Sequence, residues 1–169
     1  ASLSKGVAAT LVAELAARKK FSLADPVGRY APSLKLPEGT EKVATIRDLL
    51  SHRLGIVRNA YDDKLEEGQD PRAIRTALGT LPPYCKPGVC HAYQNVAYDA
   101  ASEIVETVTH QRYATQAKKR LFAPLGMDSA SLTKEGLEAS PSWARPHRGR
   151  HGLAVEDAYY RVPAAGGVN

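Results

Sequence analysis

The sequence predicts a mainly α-helical domain, on three observations. Leucine, valine and alanine recur at helical spacing over two long segments, near residues 3–20 and 95–109. Runs rich in β-branched and aromatic residues are scarce before residue 150. A length of 169 residues, 43% hydrophobic and 24% charged, suffices for one packed core. No uncharged apolar run approaches the roughly 18 residues that a bilayer crossing needs, so a transmembrane segment is excluded.

The elements follow in order. Leu3, Val7, Leu11 and Leu15 repeat every four residues with alanines between them, which predicts an amphipathic helix running to about Lys20. Asp25-Pro26 offers a cap and a first helical residue, but Pro32 and Pro37 leave room for only a short turn. Thr45-Ile46-Arg47-Asp48 matches a capping box, with Leu49 and Leu50 as apolar anchors and Gly55 as terminator. Asp70-Pro71 repeats the cap-then-proline signal, with Ile74, Ala77 and Leu78 as a buried stripe up to Gly79. From Asn95 to Thr109, Val96, Ala97, Ala100, Ala101, Ile104, Val105 and Val108 form the inner face, and Asp99, Glu103 and Glu106 the outer one. A further helix is expected from about Arg112 to Phe122, stopped by Pro124 and Gly126. Ala158 to Pro163, with Tyr159, Tyr160 and Val162, reads as one extended strand.

Charge and cysteine content narrow the function. Twenty-three basic and 18 acidic residues leave a net charge of +5. The basic clusters, Lys118 to Arg120 and Arg145 to His151, carry no interleaved aromatics, so nucleic-acid binding is not expected. Cys85 and Cys90 are too close and too isolated for a four-ligand zinc site, which leaves a local disulfide open. No metal site and no cofactor is expected. His52 reads as a structural hydrogen bonder, His91, His110 and His151 as surface residues, and Trp143 as a packing residue.

Two constellations can carry chemistry. Ser2 and Lys5 stand three apart at the start of a strong helix, so their side chains share a face. A serine hydroxyl needs a base, a cation and a field favouring the alkoxide; Lys5 is the cation and the helix N-terminus adds to the field. The plainer reading is a helix cap beside a solvated lysine. Tyr93 and Asn95, two apart in an extended lead-in, point the same way and offer a proton-exchanging phenol and an orienting amide. Their plainer reading is a half-buried tyrosine and a capping asparagine.

Order and context then decide. Ala1-Ser2-Leu3-Ser4-Lys5, Leu23-Ala24-Asp25-Pro26-Val27 with Tyr30 and Pro32, Thr45-Ile46-Arg47-Asp48-Leu49-Leu50-Ser51-His52, and Pro87-Gly88 ahead of Tyr93-Gln94-Asn95 all occur. Pro124-Leu125-Gly126-Met127 and Ala165-Gly166-Gly167 complete the series. Over nearly its whole length the chain resembles the serine β-lactamase-related hydrolases of the class C type, which include β-lactamases, D,D-peptidases and esterases. The resemblance implies Ser2 as acylated nucleophile, Lys5 as its cationic or proton-shuttling neighbour, Tyr93 as base and Asn95 as a substrate-orienting amide. It implies a small-molecule or peptidoglycan-like substrate and a periplasmic or secreted location, where a Cys85–Cys90 disulfide across the Pro87-Gly88 turn would persist.

Two departures stand out. Arg53-Leu54-Gly55 replaces the family's usual residues after the serine-histidine pair. The third motif, a KTG or HxG strand, is missing: His147-Arg148-Gly149 has the letters but lies in a Pro- and Arg-rich stretch too soon after Tyr93, and is rejected. The fold expected is therefore the helical domain of the serine β-lactamase/D,D-peptidase-like fold, with the α/β sheet domain largely missing from this chain. Residues 1–169 form a single helical region, a fragment, in which 145–169 is a loop or extended segment leading back to the absent sheet. The function implied is a serine acyl hydrolase in the full-length protein, with the fragment inactive alone. The alternatives are a catalytically idle relative that binds peptidoglycan or another partner, and a plain helical interaction domain.

Overall fold

The computed structural model of the chain describes residues 2–169. Ala1, the first residue of the candidate nucleophile motif, lies outside the described residues. Helix α1 (Ser4–Ala17) is the central element, packed against α5 (Ala100–Thr109), α6 (Tyr113–Ala117) and α8 (Pro163–Gly166). Its buried residues are Ser4, Lys5, Ala8, Leu11, Val12 and Leu15. The face is rotated from the one expected: Leu3 is 93% exposed, and the helix ends three residues before Lys20. The four-residue repeat Leu3-Val7-Leu11-Leu15 drifts around a 3.6-residue helix, and the alanines allow close approach on the neighbouring face. Burial of each leucine in this core contributes about 1.5–3 kcal/mol.

The locally encoded features are present. Thr45 and Asp48 form the capping box of α2 (Ile46–Leu50), with Asp48 N–H donating to Thr45 Oγ1 at 3.1 Å and Thr45 N–H to Asp48 Oδ2 at 2.9 Å. Asp70 caps α4 (Pro71–Ala77), accepting from Ala73 N–H at 2.9 Å. After the intervening α3 (Asp62–Glu66), the chain reaches α4 without a long loop. Asp25 does not cap; its Oδ2 accepts from Ser22 N–H and the Tyr30 hydroxyl, and a short 3₁₀ turn at Val27–Arg29 follows. Gly55 does not terminate α2, which ends at Leu50. Its φ of +82° and its approach to the Cys85 carbonyl, 2.3 Å from where a Cβ would stand, make it the hinge on which the 84–91 loop folds back.

Several further expectations need correction. The helix expected from Asn95 begins only at Ala100, because residues 95–99 wind as turns, with Asp99 N–H donating to Asn95 O. Asp99 and Glu103, expected outside, are buried, because Arg75 of α4 reaches both: Nη1 lies 2.9 Å from Asp99 Oδ2 and Nη2 3.7 Å from Glu103 Oε2. The expected strand at 158–163 is a 3₁₀ turn (Ala158–Arg161) running into α8, since Pro163 occupies a first-turn position where its missing N–H costs nothing. Residues 145–169 are thus not wholly loop or extended. The helix expected from 112 to 122 changes to π geometry at Lys118–Phe122. After α7 (Lys134–Glu138), the only sheet among the described residues is the hairpin of β1 (His147–Arg148) and β2 (His151–Gly152), all exposed.

Candidate active site

Ser2 precedes α1 rather than riding on it, in a turn whose carbonyl accepts from Lys5 N–H at 3.1 Å. The turn leaves Ser2 exposed and sends the Lys5 side chain into the interior. Lys5 is only 7% exposed, and its Nζ has three oxygen acceptors: Asn95 Oδ1 at 2.7 Å, the Ala165 carbonyl at 3.0 Å and Ser2 Oγ at 3.4 Å. Three acceptors match the three ammonium protons. The ammonium also lies 4.6 Å from the Tyr93 ring centroid and 5.5 Å from that of Tyr98.

Tyr93 arrives from the other end of the motif series. Its lead-in is fixed by Asn59 N–H donating to Tyr93 O at 2.8 Å and by Gln94 N–H donating to His52 Nδ1 at 3.1 Å. The phenol donates to Ser2 Oγ at 2.6 Å. Partial burial pushes the phenol up, but contact with Lys5, contact with Ser2 and the Lys5 charge outweigh it, so Tyr93 titrates below its ordinary value. Ser2, Lys5, Tyr93 and Asn95, singled out in the sequence, are thus brought together. Tyr98 anchors the same region by donating to the Lys5 carbonyl at 3.0 Å.

His52 behaves as a structural acceptor. Burial, then the charges of Lys5 and His91, push it down to about 4, and its ring stacks 4.6 Å from that of Tyr93. His91, His110 and His151 are exposed, and half-buried Trp143 stacks on the Arg145 guanidinium at 5.5 Å. Cys85 and Cys90 are disulfide-bonded, with Cα atoms 6.4 Å apart, closing the loop ahead of Tyr93. The His147-Arg148-Gly149 stretch belongs to the exposed hairpin. No cluster of three or more His, Cys, Asp or Glu side chains among the described residues could hold a metal ion.

Two clefts adjoin the cluster. One of about 290 Å³ is lined by Ser2, Asn95, Tyr159, Tyr160 and Gly166. The other, about 580 Å³, is lined by Val57, Arg58, Tyr84, His91, Ala92 and Tyr93. Sequence reasoning missed Asp62, the Ala165 carbonyl and the two tyrosines. The alanine and glycines at 165–167 signalled a motif but not its role, and Tyr159 and Tyr160 were absorbed into the expected strand. Nothing near Asp62 distinguishes it from a solvated helix-start carboxylate.

Comparisons with known proteins find relatives over nearly the whole chain. The pattern that defines the family described as Beta-lactamase matches residues 1–169. Penicillin-binding protein 4 of Amycolatopsis lactamdurans is 30% identical over 162 residues, covering 93% of this chain and 41% of that protein. Esterase EstB of Burkholderia gladioli is 30% identical over 175 residues, covering 92% of this chain and 44% of the esterase. The octameric penicillin-binding protein homologue from Pyrococcus abyssi superposes with a TM-score of 0.80 at 28% identity, over 99% of this chain and 40% of that one. The chain spans less than half the length of these relatives.

Proposed function

The chain belongs to the beta-lactamase family, and on that premise we propose that the full-length protein is a serine acyl hydrolase working through an acyl-enzyme on Ser2. The observation that carries this reading is the 2.6 Å contact of the Tyr93 phenol with Ser2 Oγ beside the Lys5 ammonium. As phenolate, Tyr93 takes the Ser2 hydroxyl proton while Oγ attacks the substrate carbonyl; Lys5 stabilises the negative charge on both oxygens. The tetrahedral adduct collapses, Tyr93 returns its proton to the departing nitrogen or oxygen, and the acyl group stays on Oγ. A water then attacks the ester as Tyr93 takes its proton, and Tyr93 passes that proton to Ser2 Oγ as the carbon–Oγ bond breaks, which releases the carboxylic acid and restores free Ser2.

Asn95 faces the cleft it shares with Ser2, Tyr159 and Tyr160, a setting suited to holding an acyl chain by an amide and two phenols. The substrate is an activated amide or ester: a β-lactam, a peptidoglycan-like D-Ala peptide or a short ester. The names of the relatives, one a penicillin-binding protein and one an esterase, fit that range. A periplasmic or secreted location fits the Cys85–Cys90 disulfide, and no helix among the described residues is long and apolar enough to cross a membrane. The helical makeup of the described residues, with one hairpin of two two-residue strands, supports the reading that the α/β sheet domain lies largely outside this chain.

The test is labelling of the full-length protein with a fluorescent penicillin and a fluorophosphonate, with the adduct located by mass spectrometry. An adduct on Ser2 that Ser2→Ala abolishes is the expected result. Label elsewhere, or turnover unaffected by Ser2→Ala, overturns the proposal.

A further inference from the structure

Asn95 poses a problem that its own shape does not solve. The two ends of its side-chain amide are nearly the same size, yet one accepts hydrogen bonds and the other donates them. Oδ1 accepts from Lys5 Nζ at 2.7 Å, and Nδ2 donates to Asp62 Oδ2 at 2.7 Å. Turning the amide over would set its NH₂ against the ammonium and its oxygen against a carboxylate. Two charge-assisted hydrogen bonds would become two repulsions. Lys5 alone favours the observed orientation from one side; Asp62 secures it from the other.

Asp62 opens α3 and meets Asn95 across 33 residues of sequence. Its second oxygen, Oδ1, is buried with no well-formed hydrogen bond among the described residues, though the Val96 N–H also pulls on the carboxylate. A carboxylate so placed carries a desolvation cost, and burial, then the Glu66 charge, push it up against the opposing pull of Asn95, Lys5 and the Val96 N–H. The charged and titratable groups that act on it or feel its charge are Glu66 on its own helix, Lys5 on α1, Tyr93 and Tyr159. Lys5 is the only cation among them.

We infer that Asp62 is a positioning residue for the acylation chemistry: it locks the Asn95 amide so that Oδ1 holds Lys5 Nζ between Ser2 and Tyr93. Asp62 touches none of the reacting atoms and acts through Asn95. The inference rests on the function proposed above. Without the lock, the amide turns over in a fraction of molecules, Nζ loses its shortest acceptor, and the cation no longer stays at 3.4 Å from Ser2 Oγ. The other walls of the clefts are unchanged and the displaced group is the cation beside the reacting oxygens, so the loss falls on kcat more than on KM.

The experiment uses the full-length protein with nitrocefin and p-nitrophenyl butyrate as probes. Asp62→Leu, which keeps the branched outline at somewhat larger volume and lacks an acceptor, is expected to lower kcat about tenfold or more with KM within about twofold. Asp62→Asn, which can turn its own carbonyl oxygen to Asn95 Nδ2, recovers most of that loss. In an Asn95→Ala background, Asp62→Leu costs less than about twofold further, because its effect runs through Asn95. A wild-type kcat for Asp62→Leu, or a loss that simply multiplies with that of Asn95→Ala, overturns the inference. Should Asp62→Leu not fold, Asp62→Ser, whose hydroxyl is too short to reach Asn95, takes its place with the same expectations. Ser2→Ala separates the two levels: turnover surviving Ser2→Ala sinks the proposed function, whereas an inactive Ser2→Ala beside a fully active Asp62→Leu sinks only the role of Asp62.

Discussion

The Tyr93 phenol meets Ser2 Oγ at 2.6 Å across 91 residues of sequence, the shortest route for a proton out of the candidate nucleophile. The contact depends on two supports of different origin. Lys5 is placed by the first turn of α1, whereas the strand-like lead-in to Tyr93 is pinned by His52 and by the backbone of Asn59.

Tyr93→Phe keeps the ring that packs on His52 and removes the proposed proton carrier. The full-length protein should lose about 10²–10⁴-fold in kcat while its melting temperature changes little. Steady-state kinetics beside a thermal melt checks both halves.

Residues 1–169 alone should neither turn over nitrocefin or p-nitrophenyl esters appreciably nor be stoichiometrically acylated. The Ser2 N–H can supply one oxyanion donor, and no strand beside it among the described residues supplies the second. Loss of one donor costs about 10²–10³-fold in rate. Parallel assays of this stretch and the full-length protein, with mass spectrometry of Ser2, decide the matter; robust turnover by the short form would bring His147-Arg148-Gly149 back into consideration.

Replacing Cys85 and Cys90 together by serine should cost about 2 kcal/mol of unfolding free energy, since the bridge closes only a short loop. The larger effect should be on kcat. The loop folds back through Tyr84 and Cys85 N–H groups donating to Gly55 O and Gly88 N–H donating to Arg53 O, directly ahead of Tyr93. Urea unfolding and kinetics with and without reductant measure the two effects separately.

Stability should fall as pH drops from about 6.5 to about 4, in part through His52. Burial and the Lys5 charge hold it neutral in the fold, down to about 4, whereas the unfolded chain titrates near the ordinary 6.5. The unfolded state therefore binds more protons in that window, and the stabilisation present above it is lost on acidification. The half-buried ring discounts the effect to about 2 kcal/mol. His52 has a φ of +59°, so His52→Asn suits the backbone, offers Gln94 N–H an acceptor and cannot titrate. Its unfolding free energy should show a shallower slope over the same range; an unchanged slope would remove His52 from the account.

What the sequence disclosed and what it hid follow one division. Thr45 with Asp48, Asp70 with Pro71, and the Ser2–Lys5 pair declare themselves because each relationship spans three residues or fewer. Tyr93 and Asn95 became meaningful through their order behind Ser2 and Lys5. Asp99 and Glu103 misled because a carboxylate on a helix reads as solvated until its partner is known, and Arg75 stands 24 residues before Asp99. Asp62 was invisible for the same reason. The stretch from Tyr159 to Val162 had a strand's composition, and the proline after it determined the outcome.

Arg75 has a reach its position conceals. Nearly fully buried, it grips Asp99 Oδ2 while Asp99 Oδ1 accepts from Ala164 N–H at 2.9 Å, and the next carbonyl, that of Ala165, accepts from Lys5. A random-mutagenesis library scored for antibiotic or ester turnover would therefore flag position 75 alongside Ser2, the proposed nucleophile. Compensating second hits would map to the contact between α4 and α5 rather than to the clefts.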